Sequence, residues 1–517
     1  MQEFDVAIIG CGPVGGIAAN LLGRAGLKVI VVEREAAPHP LPRAVHIDHE
    51  IMRILQSAGL AERIAPLMRD TQGHMHIGAD GGVIRYLGTA GRPRPFGWSG
   101  DYFFYQPELE RELRAALSGL ASVELRLGSQ LVLFTQDAGG VVLTLGASEA
   151  EETIKASWMI ACDGASSSVR KQLGVQLEDL GFDEPWLVVD AEVDGTLRFP
   201  DFTGVPEGAD LSSLSLMLCD PSRPTTVVPG RGNHRRWEFM LLPGEDQGPA
   251  DPDLAKRLME PWIGGLQARV VRAATYRFHA LIAEHWKCGR VFLAGDAAHQ
   301  TPPFFGQGMC HGFRDVANLA WKMERVVRGG ISAALLEDYQ AEREPQVRSV
   351  IASAVEAGRY ICMRDLDMAA DRDAAMRARA GDPVRTAADL ITPIRGLTGC
   401  HPVAGARFIQ PRVERPDGTS ALLDDITGGG FVLVLAEGEP EPSVNIPAFV
   451  SVVRSGVDFM DVAGDLAAWM NAHQARAVLV RPDFYVFDAG SSAAALIAAL
   501  DAAMAALKSS EAELCHA

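Results

Sequence analysis

The N-terminal stretch constrains the fold most, because it places a glycine-rich turn between a buried strand and a helix. Residues 4–9 form an apolar run typical of a strand in a parallel sheet, and residues 10–15 read Gly-Cys-Gly-Pro-Val-Gly. A helical pattern follows over 17–25, and a second strand over 28–32 ends at Glu33. This order predicts an α/β fold that begins with a Rossmann-like dinucleotide-binding unit.

The residues of this turn each have a physical role at a bound dinucleotide. Gly10 permits the tight turn, Gly12 lets the backbone approach a pyrophosphate, and Gly15 lets helix and strand pack closely. The helix start at Pro13 offers free N–H groups and a dipole that favour phosphate. The carboxylate of Glu33 is expected to accept hydrogen bonds from ribose hydroxyls. An acid at this position suits either NAD or FAD, so the turn alone leaves that choice open.

Length and composition indicate a multidomain globular protein. The chain has 517 residues, and a single hydrophobic core stops growing beyond ~250–300 residues, so we expect two to four domains. The formal net charge of −18 argues against nucleic acid as a partner, because phosphate binding needs a basic surface. No segment approaches the ~20 apolar residues that span a bilayer, and the first residues lack the basic region of a secretory signal. We therefore predict a cytoplasmic protein without a membrane segment.

Cysteines and histidines give no signal for a metal site. The eight cysteines are scattered without a Cys-x-x-Cys pair, which predicts reduced, buried thiols. His74 and His76 alternate as on a strand, but two ligands without a third are more often surface polar residues. We predict that the protein binds no metal.

Two further segments repeat the pattern of a strand that runs into a turn of small residues. Residues 158–170 lead into an Asp-Gly turn at Asp163, and residues 290–299 lead into a Gly-Asp pair at Asp296. The stretch 301–309 then reads Thr-Pro-Pro-Phe-Phe-Gly-Gln-Gly-Met and precedes a helix. A second dinucleotide motif in a strand–helix setting does not occur in the sequence.

Together with an Arg-Ala pair at Arg43 and a helix that opens at Gln106, these motifs resemble the class A flavoprotein aromatic hydroxylases. That family is typified by para-hydroxybenzoate hydroxylase and phenol hydroxylase. The resemblance extends along nearly all of the chain and is greatest to the 3-(3-hydroxyphenyl)propionate hydroxylases. It implies that FAD is the bound dinucleotide.

The resemblance also implies roles for individual residues at FAD. Asp296 would bind the ribityl or ribose hydroxyls, while Gly308 and Met309 would donate from the backbone near the N1/O2 edge of the flavin. Donors at a helix N-terminus favour the anionic reduced flavin. Arg43 and Gln106 would contact the cofactor as well. The other residues expected at the cofactor beyond the first turn are Arg34, Asp163, Gly295 and Gly306.

The reaction implied by the resemblance is hydroxylation of a phenolic ring, ortho or para to its oxygen. NADH or NADPH would reduce FAD, O₂ would form a flavin C4a-hydroperoxide, and a phenolate would attack its distal oxygen. Because the chain has no separate nicotinamide domain, NAD(P)H is expected to bind transiently over the flavin. The sequence does not choose between NADH and NADPH.

Removal of the phenol proton, whose pKa is ~10, requires a relay near neutral pH. His46, His299 and His311 are the titratable candidates near the flavin. His311 is our candidate for the relay, because it follows the Gly-x-Gly turn on the expected substrate side. His299 is more simply explained as a packing residue. Pro303 is expected to face the substrate through its carbonyl group.

A substrate that carries a carboxylate would also need a cation in the pocket. Arg223, Arg235 and Arg236 are candidates. Adjacent residues of a strand point to opposite faces, so at most one of Arg235 and Arg236 can face the pocket.

We expect domains that are discontinuous in sequence. The FAD-binding domain would comprise 1–72, 106–178 and 286–345. A substrate domain of 73–105 and 179–285 has alternating patterns that predict a mixed sheet along one wall of the pocket.

The remaining residues divide into two further regions. Residues 346–402 read as a helical connector, with a mobile cover over 364–382. Residues 403–517 resemble the thioredoxin-like C-terminal domain of the phenol hydroxylases, but without a Cys-x-x-Cys pair. We expect this domain to serve packing and contact within a homodimer.

Two alternatives stay open at this point. The chain could be another oxygenase on the same fold, such as an epoxidase or a decarboxylating hydroxylase. It could also be a non-catalytic dinucleotide-binding module, although such a module would not need the Gly-Asp and Pro-Pro segments.

Overall fold

A computed structural model of the chain describes residues 1–89, 91–146, 151–245, 248–329, 331–379 and 388–514. Its α-helices are α1 (Pro13–Arg24), α2 (His49–Ser57), α3 (Ala61–Ile64), α4 (Gln106–Leu117), α5 (Ser168–Gln172), α6 (Pro252–Ile263), α7 (Gly308–Val327), α8 (Asp338–Ile361), α9 (Leu366–Ala378), α10 (Asp424–Thr427), α11 (Asp465–Ala472) and α12 (Ala493–Leu514).

Its strands are β1 (Gln2–Ile9), β2 (Val29–Glu33), β3 (His46–Asp48), β4 (Arg69–Asp70), β5 (Gly73–Ile77), β6 (Val83–Gly88), β7 (Asp101–Phe103), β8 (Val123–Leu127), β9 (Gln130–Asp137), β10 (Gly140–Gly146), β11 (Glu151–Ala161), β12 (Leu177–Val193), β13 (Ser215–Leu218), β14 (Thr225–Pro229), β15 (His234–Met240), β16 (Ala268–Ala283), β17 (Lys287–Cys288), β18 (Val291–Leu293), β19 (His299–Gln300), β20 (Arg412–Glu414), β21 (Ser420–Leu422), β22 (Phe431–Leu435), β23 (Val450–Arg454), β24 (Ala477–Val480) and β25 (Val486–Gly490).

The first large sheet contains the predicted dinucleotide unit. Its strand order is β17-β18-β11-β1-β2-β8, and β9 and β10 join it through β11. The strand β1 runs parallel to both β2 and β11, with Val6 opposite Val29 on one side and Trp158 on the other. The central strands are apolar because both faces of a parallel sheet are covered. The predicted βαβ unit is therefore confirmed.

The second large sheet is mixed, with the order β19-β16-β12-β15-β14-β13-β5-β6. Only β13 and β5 pair in parallel. One face packs into a separate hydrophobic core that includes Leu187, Val227 and Trp237. Successive side chains of a strand point to opposite faces, so the alternate residues of the same strands are left for the other face.

Helix α9 packs against the second sheet, in the stretch expected to be a mobile cover. Arg372 donates to the carbonyl oxygen of Cys219 at 2.8 Å, and Asp373 accepts from the backbone N–H of Ala79 at 2.7 Å. Both charged side chains are buried. Residues 364–379 thus pack on the second sheet, the mobility expected of a cover over 364–382 stays a prediction, and residues 380–382 lie outside the described residues.

The C-terminal region contains a four-stranded sheet with the order β23-β22-β24-β25. It contacts helix α7, where the rings of Trp321 and Phe431 meet edge to face with centroids 5.5 Å apart. A buried ion cluster lies at the same interface. Arg481 and Lys322 each donate to the Glu342 carboxylate at 2.7 Å. The resemblance of this region to thioredoxin stays a prediction.

The described cysteines, Cys11 to Cys400, are all free thiols. Cys400 is exposed, so the expectation of uniformly buried thiols is wrong at that position. Across the part of the chain that the structure describes, no helix has the length and apolar character needed to cross a bilayer.

Candidate active site

A cavity of about 430 Å³ lies between the two large sheets. Its walls come from the turn after β1, the turn after β11, the loop between β18 and α7, and one face of the second sheet. The predicted site residues that line it are Gly12, Pro13, Arg43, Gln106, Asp296, Pro303, Gly306, Gly308 and Met309.

The glycine-rich turn has the shape expected of a phosphate cradle. Gly10 has a φ of +95°, and a Cβ atom at Gly15 would lie 1.9 Å from the carbonyl oxygen of Gly10. A Cβ atom at Gly12 would meet no other atom within 4 Å. Helix α1 begins at Pro13, directly after this open position. The backbone is thus tightly packed on the protein side and open on the cavity side.

Glu33 and Arg34 lie beside the cavity rather than in its wall. The Glu33 carboxylate accepts the backbone N–H groups of Cys11 at 2.6 Å and Glu35 at 2.8 Å. Arg34 is an exposed residue whose guanidinium pairs with Glu35 at 3.4 Å. The structure therefore places Arg34 on the surface, away from the predicted site.

Arg114 on α4 is a residue that the sequence analysis missed. Its Nε donates to the carbonyl oxygen of Cys11 at 3.1 Å, and its Nη2 lies 3.9 Å from the Glu33 carboxylate. Its Nη1 is buried without a hydrogen-bond partner among the described residues. Gln106 and Glu110 precede it at intervals of four, which places all three on one face of α4. That spacing was the available signal.

Gln106 fixes the segment that carries Arg43. Its side-chain oxygen accepts the backbone N–H groups of Arg43 at 2.8 Å and Ala44 at 2.7 Å. Its amide nitrogen donates to Glu110 at 2.7 Å. The predicted Gln106 thus shapes the cavity wall through the backbone of its neighbours.

Asp163 and Gly295 hold the two turns of small residues. Asp163 Oδ2 accepts the backbone N–H groups of Ser168 at 2.8 Å and Val169 at 3.1 Å, and so caps α5. Its Oδ1 is buried without a partner among the described residues. Gly295 donates its N–H to Asp315 at 3.1 Å. Neither Asp163 nor Gly295 lines the cavity, although their sequence neighbours do.

Asp296 differs from these residues because its side chain reaches the cavity. No hydrogen bond from the described residues reaches its carboxylate. The surrounding protein desolvates the group and raises its pKa. A carboxylate in such a position is suited to accept hydroxyl hydrogen bonds from a ligand.

The turn before α7 presents a helix N-terminus to the cavity. Residues Pro303–Phe305 form one turn of 3₁₀ helix, and Gly306 follows with a φ of +62°. A Cβ atom at Gly306 would lie 2.7 Å from the ring of His46, whereas one at Gly308 would meet nothing within 4 Å. Helix α7 begins at Gly308 without a side-chain cap. Its first N–H groups are therefore available to an anionic edge of a ligand.

His311 and His299 lie behind this turn and do not line the cavity. His311 is fully buried with both ring nitrogens unpartnered, and burial together with Arg314 and Arg343 holds its pKa well below the usual value. The expected position of His311 on the substrate side is wrong, because it lies on the buried side of α7. His299 contacts Asp315 at 2.7 Å and packs on Trp286, as expected for a packing residue.

The candidate arginines also have defined positions. Arg223 forms a two-point ion pair with Glu245 at 3.0 and 2.7 Å, outside the cavity. Arg236 lines the cavity and Arg235 does not, in agreement with the alternation of side chains along β15.

Arg236 is already engaged by the protein. It donates to Asp190 at 2.9 Å and to the carbonyl oxygen of Pro42 at 2.8 Å. Arg272 on β16, which is separated from β15 by β12, donates to the same carbonyl and stacks over Tyr276, 4.5 Å from the ring centroid.

Glu238 is an acidic residue of the same sheet face that, unlike Asp190, lines the cavity. It lines the cavity, and its nearest cationic group is Arg236, 3.9 Å away. Burial raises the pKa of its carboxyl to about 7. Thr226, which is opposite Glu238 in the neighbouring strand, has a hydroxyl without a partner among the described residues. These polar groups were not anticipated from the sequence.

His46, His74 and Asp101 form a second polar group in the cavity wall, which we call the His74 cluster. His46 Nε2 lies 2.7 Å from Asp101 Oδ1, and His74 Nε2 lies 4.0 Å from Asp101 Oδ2. Both histidines line the cavity. The reading of His74 as a surface residue is therefore wrong, because the pairing of β5 with β13 turns it inward.

The ligand-type atoms of the His74 cluster lie within 4.8 Å of one another, which is spacing that a metal ion could use. The prediction of no metal site rested on the absence of a third ligand beside His74 and His76, and that premise is wrong. The hydrogen bond between His46 and Asp101 nevertheless accounts for the arrangement without an ion. We therefore interpret the group as a hydrogen-bonded cluster.

Comparison with protein families identifies the chain. Residues 3–354 match the model of the FAD binding domain, and residues 401–508 match that of the aromatic-ring hydroxylase C-terminal domain. The chain belongs to the FAD-dependent aromatic-ring hydroxylases. It is therefore a flavoprotein monooxygenase whose cofactor is FAD, and the alternative of a non-catalytic module is excluded.

Curated relatives match this hydroxylase over nearly its full length. A probable NADH-specific resorcinol 4-hydroxylase of Rhodococcus jostii is 35% identical, covering 96% of this chain and 93% of the relative. A 3-(3-hydroxy-phenyl)propionate/3-hydroxycinnamic acid hydroxylase of Burkholderia cenocepacia is 33% identical, covering 94% and 93%.

Solved structures of similar fold support the architecture of this hydroxylase. A ternary complex of aklavinone-11 hydroxylase with FAD and aklavinone has a TM-score of 0.77 at 23% identity and covers 98% of this chain and 99% of that one. The flavin-dependent monooxygenase PieE has a TM-score of 0.80 at 22% identity, with coverage of 97% and 99%.

Proposed function

We propose that this hydroxylase acts on a small, uncharged phenol of the class to which resorcinol belongs, with NADH as the reductant. The observation that carries this proposal is the charge of the cavity face of the second sheet. That face presents Glu238, whose nearest cation, Arg236, is 3.9 Å away and hydrogen-bonded to Asp190 instead. Burial raises the pKa of this carboxyl to about 7, so above neutral pH it is ionised, repels a substrate carboxylate and accepts a hydrogen bond from a hydroxyl group.

The cations of the same sheet face are engaged elsewhere. Arg236 pairs with Asp190, and Arg272 donates to the backbone of Pro42. Arg277 also lines the cavity, although it is five residues from Arg272 on β16 and so belongs to the opposite face, and it pairs with Asp183 at 2.8 Å. A substrate carboxylate would have to displace one of these partners, which would cost the free energy of an existing charged hydrogen bond.

The names of the relatives point to two substrate classes. The Rhodococcus relative is named for resorcinol and for NADH, and the Burkholderia relative is named for substrates that carry a carboxylate. The charge of the cavity face in this chain favours the first class. The same relative supports NADH rather than NADPH as the reductant.

We further propose which residues hold FAD. The open backbone at Gly12 and the partnerless Nη1 of Arg114 would receive the pyrophosphate, with Glu33 at the ribose. Asp296 would accept the ribityl hydroxyls, and the N–H groups at Gly308 would face the flavin ring. When bound, FAD supplies the hydride acceptance and oxygen activation that the protein side chains lack.

The remaining expected residues contribute indirectly to this site. Arg43 lines the cavity beside the proposed pyrophosphate position, and Pro303 would place its short helix against the substrate. Phe304 and Phe305 line the same wall and would help exclude water from the reacting ring.

Substrate-stimulated oxidation of NADH by the purified holoenzyme tests the proposal. Resorcinol should stimulate NADH consumption and yield a trihydroxybenzene, and 3-(3-hydroxyphenyl)propionate should stimulate it much less. The variant Glu238→Gln should reduce the difference in stimulated NADH consumption between the two substrates. The control variant Glu192→Gln, which changes an acid at the far end of β12, should leave that difference unchanged. Preferred hydroxylation of the carboxylate-bearing phenol by the unmodified enzyme would contradict the assignment.

A further inference from the structure

The His74 cluster places two histidines and an acid in the cavity wall. Its members come from three strands, with His46 on β3, His74 on β5 and Asp101 on β7. Only the β3–β7 pair is joined by backbone pairing, where His46 is opposite Phe103. His74 belongs to the second sheet, next to Ser215. The cluster therefore joins the substrate wall to the segment that carries the flavin turn.

Hydrogen bonding distinguishes the two histidines. His46 is held on both sides, by Asp101 at Nε2 and by the carbonyl oxygen of Gly306 at Nδ1, 3.4 Å away. No hydrogen bond from the described residues reaches the ring of His74. Its Nε2 faces Asp101 Oδ2 at 4.0 Å, and its side chain is about one-fifth exposed to the cavity. His74 is thus the member with an atom available to a substrate.

We propose that His74 is a catalytic residue that accepts the proton of the substrate's phenol hydroxyl through Nε2, with Asp101 and His46 as positioning residues. This inference rests on the proposed phenolic function. The O–H bond of the phenol breaks, its electron pair stays on oxygen as phenolate, and the proton bonds to His74 Nε2. The phenolate formed is the direct counter-ion of the imidazolium, Asp101 lies 4.0 Å away and is shared with His46, and the proton returns to the oxygen of the product.

The charge state of the cluster leaves His74 able to accept a proton, although its lowered pKa makes it a weaker base than a free histidine, so the transfer depends on stabilisation of the phenolate. Burial lowers the pKa of His74, so the ring is neutral near pH 7 and its lone pair is free. Burial also acts to lower the pKa of His46, but the hydrogen bond to Asp101 holds it well above the usual value. The other charged group near His74 is Arg85 on β6, which disfavours a second positive charge. Together these charges stabilise a phenolate beside the cluster.

His76 provides a matched control because it is two residues away on the same strand and face. It is buried, hydrogen-bonded to Tyr360 at 3.0 Å, and does not line the cavity. The variants His74→Gln and His76→Gln both keep a polar side chain, but neither glutamine can take up a proton. Only the first should affect proton transfer.

The test is the pH dependence of kcat/KM for resorcinol-stimulated NADH oxidation. At pH 7, His74→Gln should lower kcat/KM by ~10²- to 10⁴-fold, which is the usual contribution of a general base. The loss should shrink as the pH approaches ~10, where the phenol ionises unaided. His76→Gln should keep the profile of the unmodified enzyme. A loss in His74→Gln that is the same at every pH, or no loss, would overturn the proposal.

A second measurement does not depend on turnover or on the folding of a variant. Resorcinol bound to the oxidised holoenzyme at pH 7 should show the ultraviolet difference spectrum of a phenolate, and a spectrum of the neutral phenol would overturn the proposal. The proposed function is tested separately. If resorcinol binds as phenolate but no phenol stimulates NADH oxidation, the substrate assignment fails while deprotonation of a phenol in this pocket stands.

Discussion

Helix α1 approaches the end of β1 so closely that Gly15 leaves no space for a side chain above the carbonyl oxygen of Gly10. The variant Gly15→Ala should therefore destabilise the apoprotein by about 3 kcal/mol or more, since the new methyl group would meet backbone that cannot move away. Gly12→Ala adds the same group where the structure has open space. It should fold normally and instead lose affinity for FAD. Thermal unfolding of the two apoproteins, with FAD titration by flavin fluorescence, separates these outcomes.

Asp296 is expected to bind FAD through hydroxyl groups, because its carboxylate reaches the cavity without a protein partner. The variant Asp296→Asn should weaken FAD binding by ~10- to 100-fold, as expected for loss of a charged hydrogen bond. Equilibrium dialysis against FAD measures the effect. Asp371→Asn, which changes an exposed acid on α9, serves as the control. Unchanged affinity in Asp296→Asn would exclude this residue from the cofactor site.

The ion cluster around Glu342 is expected to hold the C-terminal region on α7. Replacing Glu342 by Gln leaves Lys322 buried without its counter-charge and leaves Arg481 with Asp483 alone, which should cost about 3–5 kcal/mol in the free energy of unfolding. Glu344→Gln, on the same helix, breaks only a partly exposed pair with Arg348 and should cost under ~1 kcal/mol. Denaturant unfolding at pH 7 compares the two variants, and equal losses would contradict the prediction.

The stabilisation by Glu342 should also depend on pH. Burial opposes ionisation, but Arg481 and Lys322 hold the pKa of this carboxyl well below its usual value. A lowered pKa stabilises the folded state above the unfolded pKa of ~4.3 and loses that effect as the pH falls. The difference in unfolding free energy between the unmodified protein and Glu342→Gln should therefore shrink below about pH 4. A constant difference down to pH 3 would be inconsistent with the ion pairs.

Glu238 should have the opposite effect on stability. Burial raises its pKa to about 7, so the folded state favours the protonated acid. The contribution of the protonated Glu238 to the free energy of unfolding is complete below the unfolded pKa of ~4.3. It is lost as the pH rises towards 7. Glu238→Gln should therefore gain stability relative to the unmodified protein between pH 5 and pH 8, by up to about 3 kcal/mol. Melting temperatures at both pH values provide the measurement, and Glu192→Gln should show no such trend.

Local patterns were sufficient to predict the βαβ unit and the turn at Gly306. Both depend on glycine conformation and on periodicity within about twenty residues, which the sequence contains directly. Sequence alone could not orient His311, because the face of α7 that points inward depends on packing against α1 and α2. Rotation of one residue around a helix is enough to move a side chain from cavity to core.

The His74 cluster could not be predicted for a different reason. His46, His74 and Asp101 are far apart in sequence and meet only through pairing of β3 with β7 and of β5 with β13. Strand pairing between distant segments has no local signature beyond alternation. Arg114 was only partly predictable from the sequence. Its spacing from Gln106 placed it on the same face of α4, but its contact with the carbonyl oxygen of Cys11 depends on the tertiary fold.

In the second sheet, alternate residues of the same strand point to opposite faces, one face packing in the hydrophobic core and the other lining the cavity. Along β15, Trp237 and Phe239 pack in the hydrophobic core, and Arg236 and Glu238 line the cavity. Substitutions at the cavity-lining positions can therefore change which ring is accepted without removing side chains from the hydrophobic core, although replacing Arg236 would also break its buried ion pair with Asp190. This separation suits a family whose members act on many aromatic compounds. Residues that determine substrate specificity can change while the core residues that determine stability stay the same.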